Sequence, residues 1–350
     1  MHLGQTIRPS VTLAIILLVS IGACDRDPGL VTYEISGNTM GTTFSVLLVA
    51  PPEDVSLDAL RLDVMGTLER IENIASTYRA TSELSTFNAH SSTGWIEVSA
   101  EFCKLVHLAL VVSEETAGAF DITVGALVNL WGFGPDPAVD EPPSLEQIDA
   151  ALKHVGYRGL QTDCARPAIR KNSARVYVDL SGWAKGYAVD QVAELLNSRG
   201  AENYLVEIGG ELRARGHNAE RRKFAIAIEA PVPGQGDKYS IIRLTNASIA
   251  TSGDYRNYFE SDGQRYSHTI DPRTGRPISH ALVAVTVVSD AAAYADAMAT
   301  ALLVLGPADG LALAEELRIA AYFSVSTDQG IDAFSSSAFS GGNFANHARM

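Results

Sequence analysis

Beyond residue 30 the chain shows two kinds of apolar patterning, a period of two in short runs and a spacing of three and four in longer ones. VTYEISGNTMGTTFSVLLVA (31–50) reads as two strands around a polar, glycine-containing turn. Leu57, Leu60, Val64, Leu68, Ile71 and Ala75 then form one stripe, which predicts a helix with a single face packed on a sheet. A second helix is expected from near Ser99, with Phe102, Leu105, Val106 and Ala109 inward. A third, SLEQIDAALKHVGY, opens on a capping box of Ser144 and Gln147 and closes near Gly156, and the Pro-rich GPDPAVDEPPS ahead of it is a surface loop.

The run ARVYVDL (174–180) alternates polar with β-branched and aromatic residues and predicts a strand. From Ala184 onward Ala188, Val189, Val192, Leu195 and Leu196 recur at helical spacing, and Gly200 supplies a stop. The second half is strand-rich: YLVEIGGELRARG, KFAIAIEA, YSIIRLT, ASIATSG and QRYSHTI, with a hairpin-like SDGQ turn before the last. ALVAVTVVS then reads as a buried strand, Ala291 to Leu305 and Pro307 to Leu317 as two helices, and AAYFSVS as a closing strand. Hairpins segregated from helices predict an α+β fold with largely antiparallel sheets flanked by helices, rather than a doubly wound one.

With 350 residues, 46% of them apolar, the chain can bury a sizeable core. A formal net charge of −14 argues against nonspecific binding to nucleic acid or to an anionic membrane surface. A phosphate ligand on such a protein needs local cations or a metal. At the N-terminus Arg8 precedes an apolar run from Val11 to Ala23 that suits the core of an export signal. The run ends in IGAC followed by Asp25, which resembles a bacterial lipoprotein signal. That resemblance implies cleavage after residue 23, lipid on Cys24, and retention at the inner membrane, facing the periplasm. With Cys24 so used, Cys103 and Cys164 remain, in different predicted elements, and are expected as two free, mostly buried thiols. Their spacing does not suit zinc, and no HExxH or CxxC occurs.

Five stretches carry candidate chemistry. VDLSGWAKGYAVDQV (178–192) places Asp179, Gly182, Lys185 and a second acid where a strand meets a helix, a place where backbone amides can face phosphate. A tight structural turn is the alternative. In SDAAAYADAMATALLVLG, Asp296 and Thr300 stand four apart and share one helix face, so they can offer a carboxylate and a hydroxyl to a hard cation such as Mg²⁺. The alternative is that Thr300 bonds back to a helical carbonyl and Asp296 is merely solvated. RYSHTIDPRTGRPI sets His268 in a predicted strand before a turn with Arg273 and Arg276 nearby. STYRATSELSTFN offers Tyr78 and Arg79 after a helix, and AGAFDITVGALVNLWGFG offers Phe120 and Asp121.

Taken in order, TMGTTFSV, STYR..SELSTFN, GAFDITVGALVNLWGFG, VDLSGWAKGYAVD, LVEIGGELRARG, IATSGDYRNY, YSHTIDPRTGRPI and ADAMATALLVLG resemble the ApbE family, the FAD:protein FMN transferases. The resemblance runs from about Tyr33 to beyond Gly306 and implies an ApbE-like fold over 33–330, after a tether at 24–32 and before a C-terminal tail at 331–350. It implies transfer of FMN from FAD, beside Mg²⁺, to a threonine or serine hydroxyl of a target protein, with AMP leaving. Met40 would lie against the flavin or its tail, Tyr78 on a ring, and Ala119, Phe120 and Asp121 along the nucleotide pocket. Asp179, Lys185 and Thr269 would contact FAD, and His268 would take the acceptor proton. Asp296 and Thr300 would bind the metal with main-chain oxygens from around Gly182 and Ala293, which also gives Asp296 a catalytic part. The chain departs from the family pattern at Trp183, where a smaller aliphatic is usual, and at Glu211, where Asn or Asp is expected. Two alternatives stand beside this: a hydrolase splitting FAD into FMN and AMP at the same site, and a lipid-anchored flavin- or solute-binding protein without turnover, which the export signal and acidic charge suit but the set Asp296, Thr300, His268 and Lys185 disfavours.

Overall fold

The structure is a computed structural model, and it describes residues 29–135, 141–229, 239–254 and 257–342. The proposed signal, Cys24 and most of the tether lie outside the described residues, as does the end of the C-terminal tail.

Elements are numbered along the chain. The main sheet has eight strands in the order β1 (Thr32–Thr39), β2 (Thr42–Val49), β6 (Tyr204–Ile208), β7 (Glu211–Arg215), β10 (Ala247–Gly253), β15 (Leu282–Ser289), β16 (Ala320–Thr327) and β17 (Gly330–Ser335). Every neighbouring pair in it is antiparallel, as expected for hairpin-built strands. The turn between β1 and β2 places Met40 and Gly41 at φ 48° and 72°, and the Gly209-Gly210 turn joins β6 to β7 at φ 62° and 107°. β17 extends the sheet and a short helix, α8 (Ser337–Gly341), follows it, so residues assigned to the tail form structure.

Successive residues of the central strands feed two cores. Ala250 and Val287 face the larger cluster, while Ile249 and Val288 face a smaller one. The larger lies under α1 (Leu57–Ala75), α3 (Ala100–Glu115), α6 (Ala184–Ser198) and α7 (Ala292–Glu316). In α1 the inward stripe is the expected one, with Leu60, Val64, Leu68, Ile71 and Ala75 buried, each Leu, Val or Ile contributing about 1.5–3 kcal/mol. The smaller cluster is closed by the hairpin β8 (Phe224–Glu229) and β9 (Tyr239–Leu244) and by Phe339 of α8.

The remaining elements surround one end of this layer. A small sheet, β3 (Ile96–Glu97), β5 (Ala168–Lys171) and β4 (Leu160–Asp163), packs near α3. The short helices are α2 (Glu83–Ala89), α4 (Gly125–Leu130) and α5 (Leu145–Leu152), the last carrying the expected capping box. β11 (Tyr258–Ser261) and β12 (Gln264–Ser267) form a hairpin whose turn residues Asp262 and Gly263 both have positive φ, and β13 (Ile270–Asp271) pairs with β14 (Arg276–Pro277).

Two expectations are corrected. The run 174–180 is extended but is not a ladder strand; its one bridge joins Tyr177 to Val124. The Asn88 side chain takes the place of a neighbouring strand, accepting from Val178 N at 2.8 Å and donating to Val178 O at 2.8 Å. Cys103 and Cys164 are not free thiols but a disulfide, with Cα atoms 5.6 Å apart. The turn between β4 and β5 lies against α3 and brings Cys164 to the buried face that holds Cys103, a long-range approach that spacing in sequence does not encode.

Candidate active site

α6 begins without a side-chain cap of its own, at Trp183, and its first turn is seated against the start of α7. Gly186 permits the approach: a Cβ there would lie 2.4 Å from Ala292 O and 2.6 Å from Ala293 Cα. Its amide donates to Asp296 Oδ2 at 3.2 Å, so one of the helix-start donors is satisfied by the carboxylate on α7. The stretch 178–192 and the stretch around Asp296, apart in sequence, thus form one site.

Lys185 projects from that turn between two buried carboxylates. Its Nζ is 4.0 Å from Asp296 Oδ2 and 3.5 Å from Glu211 Oε1, and it also donates to Ser181 O at 3.4 Å. Burial lowers the pKa of the Lys185 ammonium, but Asp296, Glu211 and Asp179 together hold it above the ordinary lysine value. Burial raises the Asp296 carboxyl, against the pull of Lys185 and the Gly186 amide. Glu211 is pushed up to about 8, by burial first, with Asp296 adding to the rise and Lys185 opposing it. Two buried carboxyl groups thus share one ammonium, and Glu211 Oε2 has no hydrogen-bond partner.

Thr300 Oγ1 lies one turn beyond Asp296. It donates to Asp296 O at 3.1 Å, the back-bond that spacing alone allowed, and meets Ser252 Oγ of β10 at 3.0 Å. With Ser252 donating, one lone pair of the Thr300 hydroxyl is left for a ligand. A Cβ on Gly182 would stand 3.1 Å from Thr300 Oγ1, so glycine is what lets that backbone approach the hydroxyl. Among the described residues no group of three or more His, Cys, Asp or Glu side chains is arranged to hold a metal. A cation here would take one carboxylate, one hydroxyl and main-chain oxygens, a hard donor set that fits Mg²⁺ and leaves positions for substrate phosphate. Ala293, the other expected main-chain contributor, has its amide bonded to Asp190 Oδ2 at 3.0 Å.

The other expected residues line the surroundings. Phe120 reaches the same spot, its Cε2 3.4 Å from where a Gly182 Cβ would be, and Ala119 is buried in the turn that follows α3. Asp179 accepts from Ser181 N at 2.7 Å at the mouth of the turn and raises the Tyr78 hydroxyl pKa through space, after burial. Tyr78 is 70% exposed, and its hydroxyl donates to Phe133 O at 3.4 Å. Met40 joins from the β1–β2 turn, its amide donating to Glu72 Oε1 at 2.7 Å, while Glu72 also pairs with Arg79. Thr42 and the Lys185 stem both pack on Gly209, at 2.8 and 3.3 Å from the position of a Cβ.

The Asp121 carboxylate is held within the loop that carries Phe120. It accepts from Thr123 N (2.8 Å), Thr123 Oγ1 (2.6 Å) and Tyr157 N (2.7 Å), so its side chain braces its own loop. His268 follows β12 rather than lying within a strand. Its Nδ1 is 3.0 Å from Asn257 O, and because a carbonyl only accepts, Nδ1 carries the hydrogen and Nε2 the free lone pair. Burial holds its pKa below the usual histidine value. Phe133 packs edge-on at 6.3 Å and continues into Phe259, Tyr266 and Trp131, an aromatic wall that fixes the β11–β12 hairpin. Thr269 follows, its amide donating to Ser267 Oγ at 3.1 Å. Ser252 and Glu72 were not anticipated, and Asp190, the second acid of the 178–192 stretch, was given no role; Ser252 lies in the IATSGDYRNY stretch, and the others act through contacts that carry no local signature.

The model of the ApbE family matches residues 40–323. A FAD:protein FMN transferase of Vibrio cholerae serotype O1 is 43% identical over 329 residues, covering 94% of this chain and 97% of that protein. One of Escherichia coli K12 is 41% identical over 276 residues, 78% of each. Among solved structures, the flavin transferase ApbE from Vibrio cholerae superposes with a TM-score of 0.83 at 42% identity, over 89% of this chain and 99% of that one. The apo flavinyl transferase ApbE of Pseudomonas stutzeri also gives 0.83, at 40% identity over 89% and 97%.

Proposed function

The chain belongs to the ApbE family and is a flavin transferase, and from that premise we propose that it moves FMN from FAD to a threonine or serine hydroxyl of a target protein, with Mg²⁺, releasing AMP. The observation that carries this reading is the meeting of Asp296, Thr300 and the Gly182 backbone beside Lys185. Asp296 and Thr300, with main-chain oxygens at Gly182 and Ala293, would hold Mg²⁺, which would supply positive charge to offset the negative charge that develops on the pyrophosphate oxygens.

The chain's own residues supply the rest. Lys185 places an ammonium at the phosphates, where fixed charge acts more strongly than in water. Tyr78, Met40 and Phe120 bound the flavin side of the pocket, and Asp179, Ala119 and Thr269 its edges; the Asp121 side chain stabilises the loop that carries Phe120. His268 Nε2 accepts the proton of the acceptor hydroxyl as its oxygen bonds to the FMN phosphorus, and the pyrophosphate P–O bond breaks with the bridging oxygen leaving on AMP. The lone pair on Nε2, set by the Nδ1–H to Asn257 O bond, supports that assignment. The IGAC–Asp25 ending supports a lipid anchor at Cys24 on the periplasmic side of the inner membrane.

The test is to incubate the purified protein with FAD, Mg²⁺ and a candidate acceptor and look for flavin fluorescence on the denatured acceptor. Labelling that disappears in Asp296→Ala and in chelator is expected. FMN and AMP formed without labelled protein would assign a hydrolase instead, and labelling at the normal rate in Asp296→Ala would remove the metal from the site.

A further inference from the structure

The arrangement around Lys185 sets two buried carboxyl groups around one ammonium. Its Nζ sits between Asp296 Oδ2 at 4.0 Å and Glu211 Oε1 at 3.5 Å, and both carboxylates are buried, at 4% side-chain exposure each. Glu211 keeps a second oxygen, Oε2, with no hydrogen-bond partner. Asp296 is also the carboxylate that stands one helical turn from the Thr300 hydroxyl, where a cation would bind. A divalent ion on Asp296 would face the Lys185 ammonium across a few ångströms of protein, and two like charges so placed in a poorly solvated site repel strongly. Binding there therefore requires Lys185 to leave Asp296.

We propose that Lys185 is the resident counter-ion of Asp296 and that Glu211 receives its ammonium when a divalent cation takes the Asp296 carboxylate. This rests on the metal reading above and adds a positioning residue to it. The destination is already built. Glu211 Oε1 is nearer to Nζ than Asp296 is, and Oε2 offers an unused acceptor. The four-carbon stem lets the ammonium swing without moving the backbone. Room for that stem comes from Gly209, at φ +62°, where a Cβ would stand 3.3 Å from Lys185 Cδ and 2.8 Å from Thr42 Cγ2. After the hand-over Asp296 faces the ion and Glu211 faces Lys185, so each buried carboxylate has a cation of its own. Lys185, held by Glu211, still stands beside the metal, where substrate phosphate binds. An uncharged amide at 211 could accept a hydrogen bond from Lys185 but could not balance its charge.

The test measures Mn²⁺ binding to the purified protein by electron paramagnetic resonance of the free ion, without FAD and without turnover. Glu211→Gln is expected to weaken Mn²⁺ binding about tenfold, the size usual for loss of a supporting partner around a metal. Lys185→Met should tighten it, and adding Glu211→Gln to Lys185→Met should change it less than about twofold, because no ammonium remains to be received. Glu211→Asp keeps the charge but shortens the reach, and should weaken binding as Gln does. Equal weakening by Glu211→Gln with and without Lys185 would mean that Glu211 acts on the ion directly, and no weakening in the native background would mean that it has no part; either result overturns the proposal. Asp296→Asn separates the two readings. If it leaves Mn²⁺ binding intact, the metal assignment fails and this inference with it; if it abolishes binding while Glu211→Gln does not weaken it, the hand-over alone fails.

Discussion

Asp190 caps the helix that carries Asp296, its Oδ2 accepting the amide of Ala293 at 3.0 Å. Its Oδ1 accepts Ala292 N at 3.0 Å, and Arg213 balances the charge. α7 has no side-chain cap from its own N-cap residue, Ala291, so a carboxylate on α6 satisfies amides that would otherwise be buried without partners. Asp190→Ala should cost about 1–3 kcal/mol of stability in chemical denaturation. It should also lower FMN transfer, since the cap fixes the turn ahead of Asp296. Asp190→Asn, which keeps one acceptor oxygen, should lose less of both; equal loss would mean that charge rather than capping is what matters.

Gly186 sets how closely α6 and α7 approach. A methyl there meets backbone, 2.4 Å from Ala292 O, and backbone cannot swing aside as a side-chain tip can. Gly186→Ala should lower the melting temperature, with overpacking costing about 1–3 kcal/mol, and should displace Asp296 from the Gly186 amide. A variant as stable and as active as the native protein would mean that the helices can separate without consequence.

His268→Ala should reduce FMN transfer about 10²- to 10⁴-fold, the usual contribution of a general base, and leave FAD binding close to native. The acid limb of the transfer profile should fall below the ordinary histidine value near 6.5, since burial keeps the imidazole neutral to lower pH. The stability consequence has the same sign. An imidazole that resists protonation in the fold but not in the unfolded chain leaves stability whole above about 6.5 and diminishes it as pH falls below that value. A profile unchanged by His268→Ala would place the base elsewhere.

Breaking Cys103–Cys164 should destabilise the protein without abolishing the reaction. The bridge spans 61 residues, and the chain-entropy model gives about 4 kcal/mol for a loop of that length. Cys103→Ser with Cys164→Ser should unfold at lower denaturant yet transfer FMN at the native rate while folded, because the bridge ties α3 to the β4–β5 turn, neither of which carries Lys185, Asp296 or His268. Loss of activity in the folded double variant would show that the bridge also shapes the site.

Much of the fold was legible because its elements carry local signatures. The α1 stripe, the Ser144 box, the Asp262-Gly263 hairpin turn and the break before Pro307 each rest on residues within a few positions of one another. The pairing of Asp296 with Thr300 was legible for the same reason, whereas its junction with Gly186, Ser252 and Glu211 was not. Those contacts join α6, α7, β7 and β10, and no local rule states which strand faces which helix. Run 174–180 read as a strand because its pattern is that of one, and a single asparagine side chain took the partner's place. Asp121 enters the expected pocket lining only through the family resemblance. Only the structure shows its oxygens already engaged by Thr123 and Tyr157.

α7 is two rods rather than one. Gly306, at φ 80° and ψ −176°, interrupts the helix between the part that bears Asp296 and Thr300 and the part that begins at Pro307, and the His280 ring lies where a side chain on residue 306 would go. Pro307 has no amide to donate to the rod before it, so the two segments need not share an axis, and the bend at Gly306 sets the direction in which Pro307 to Glu316 runs away from the segment that bears Asp296 and Thr300.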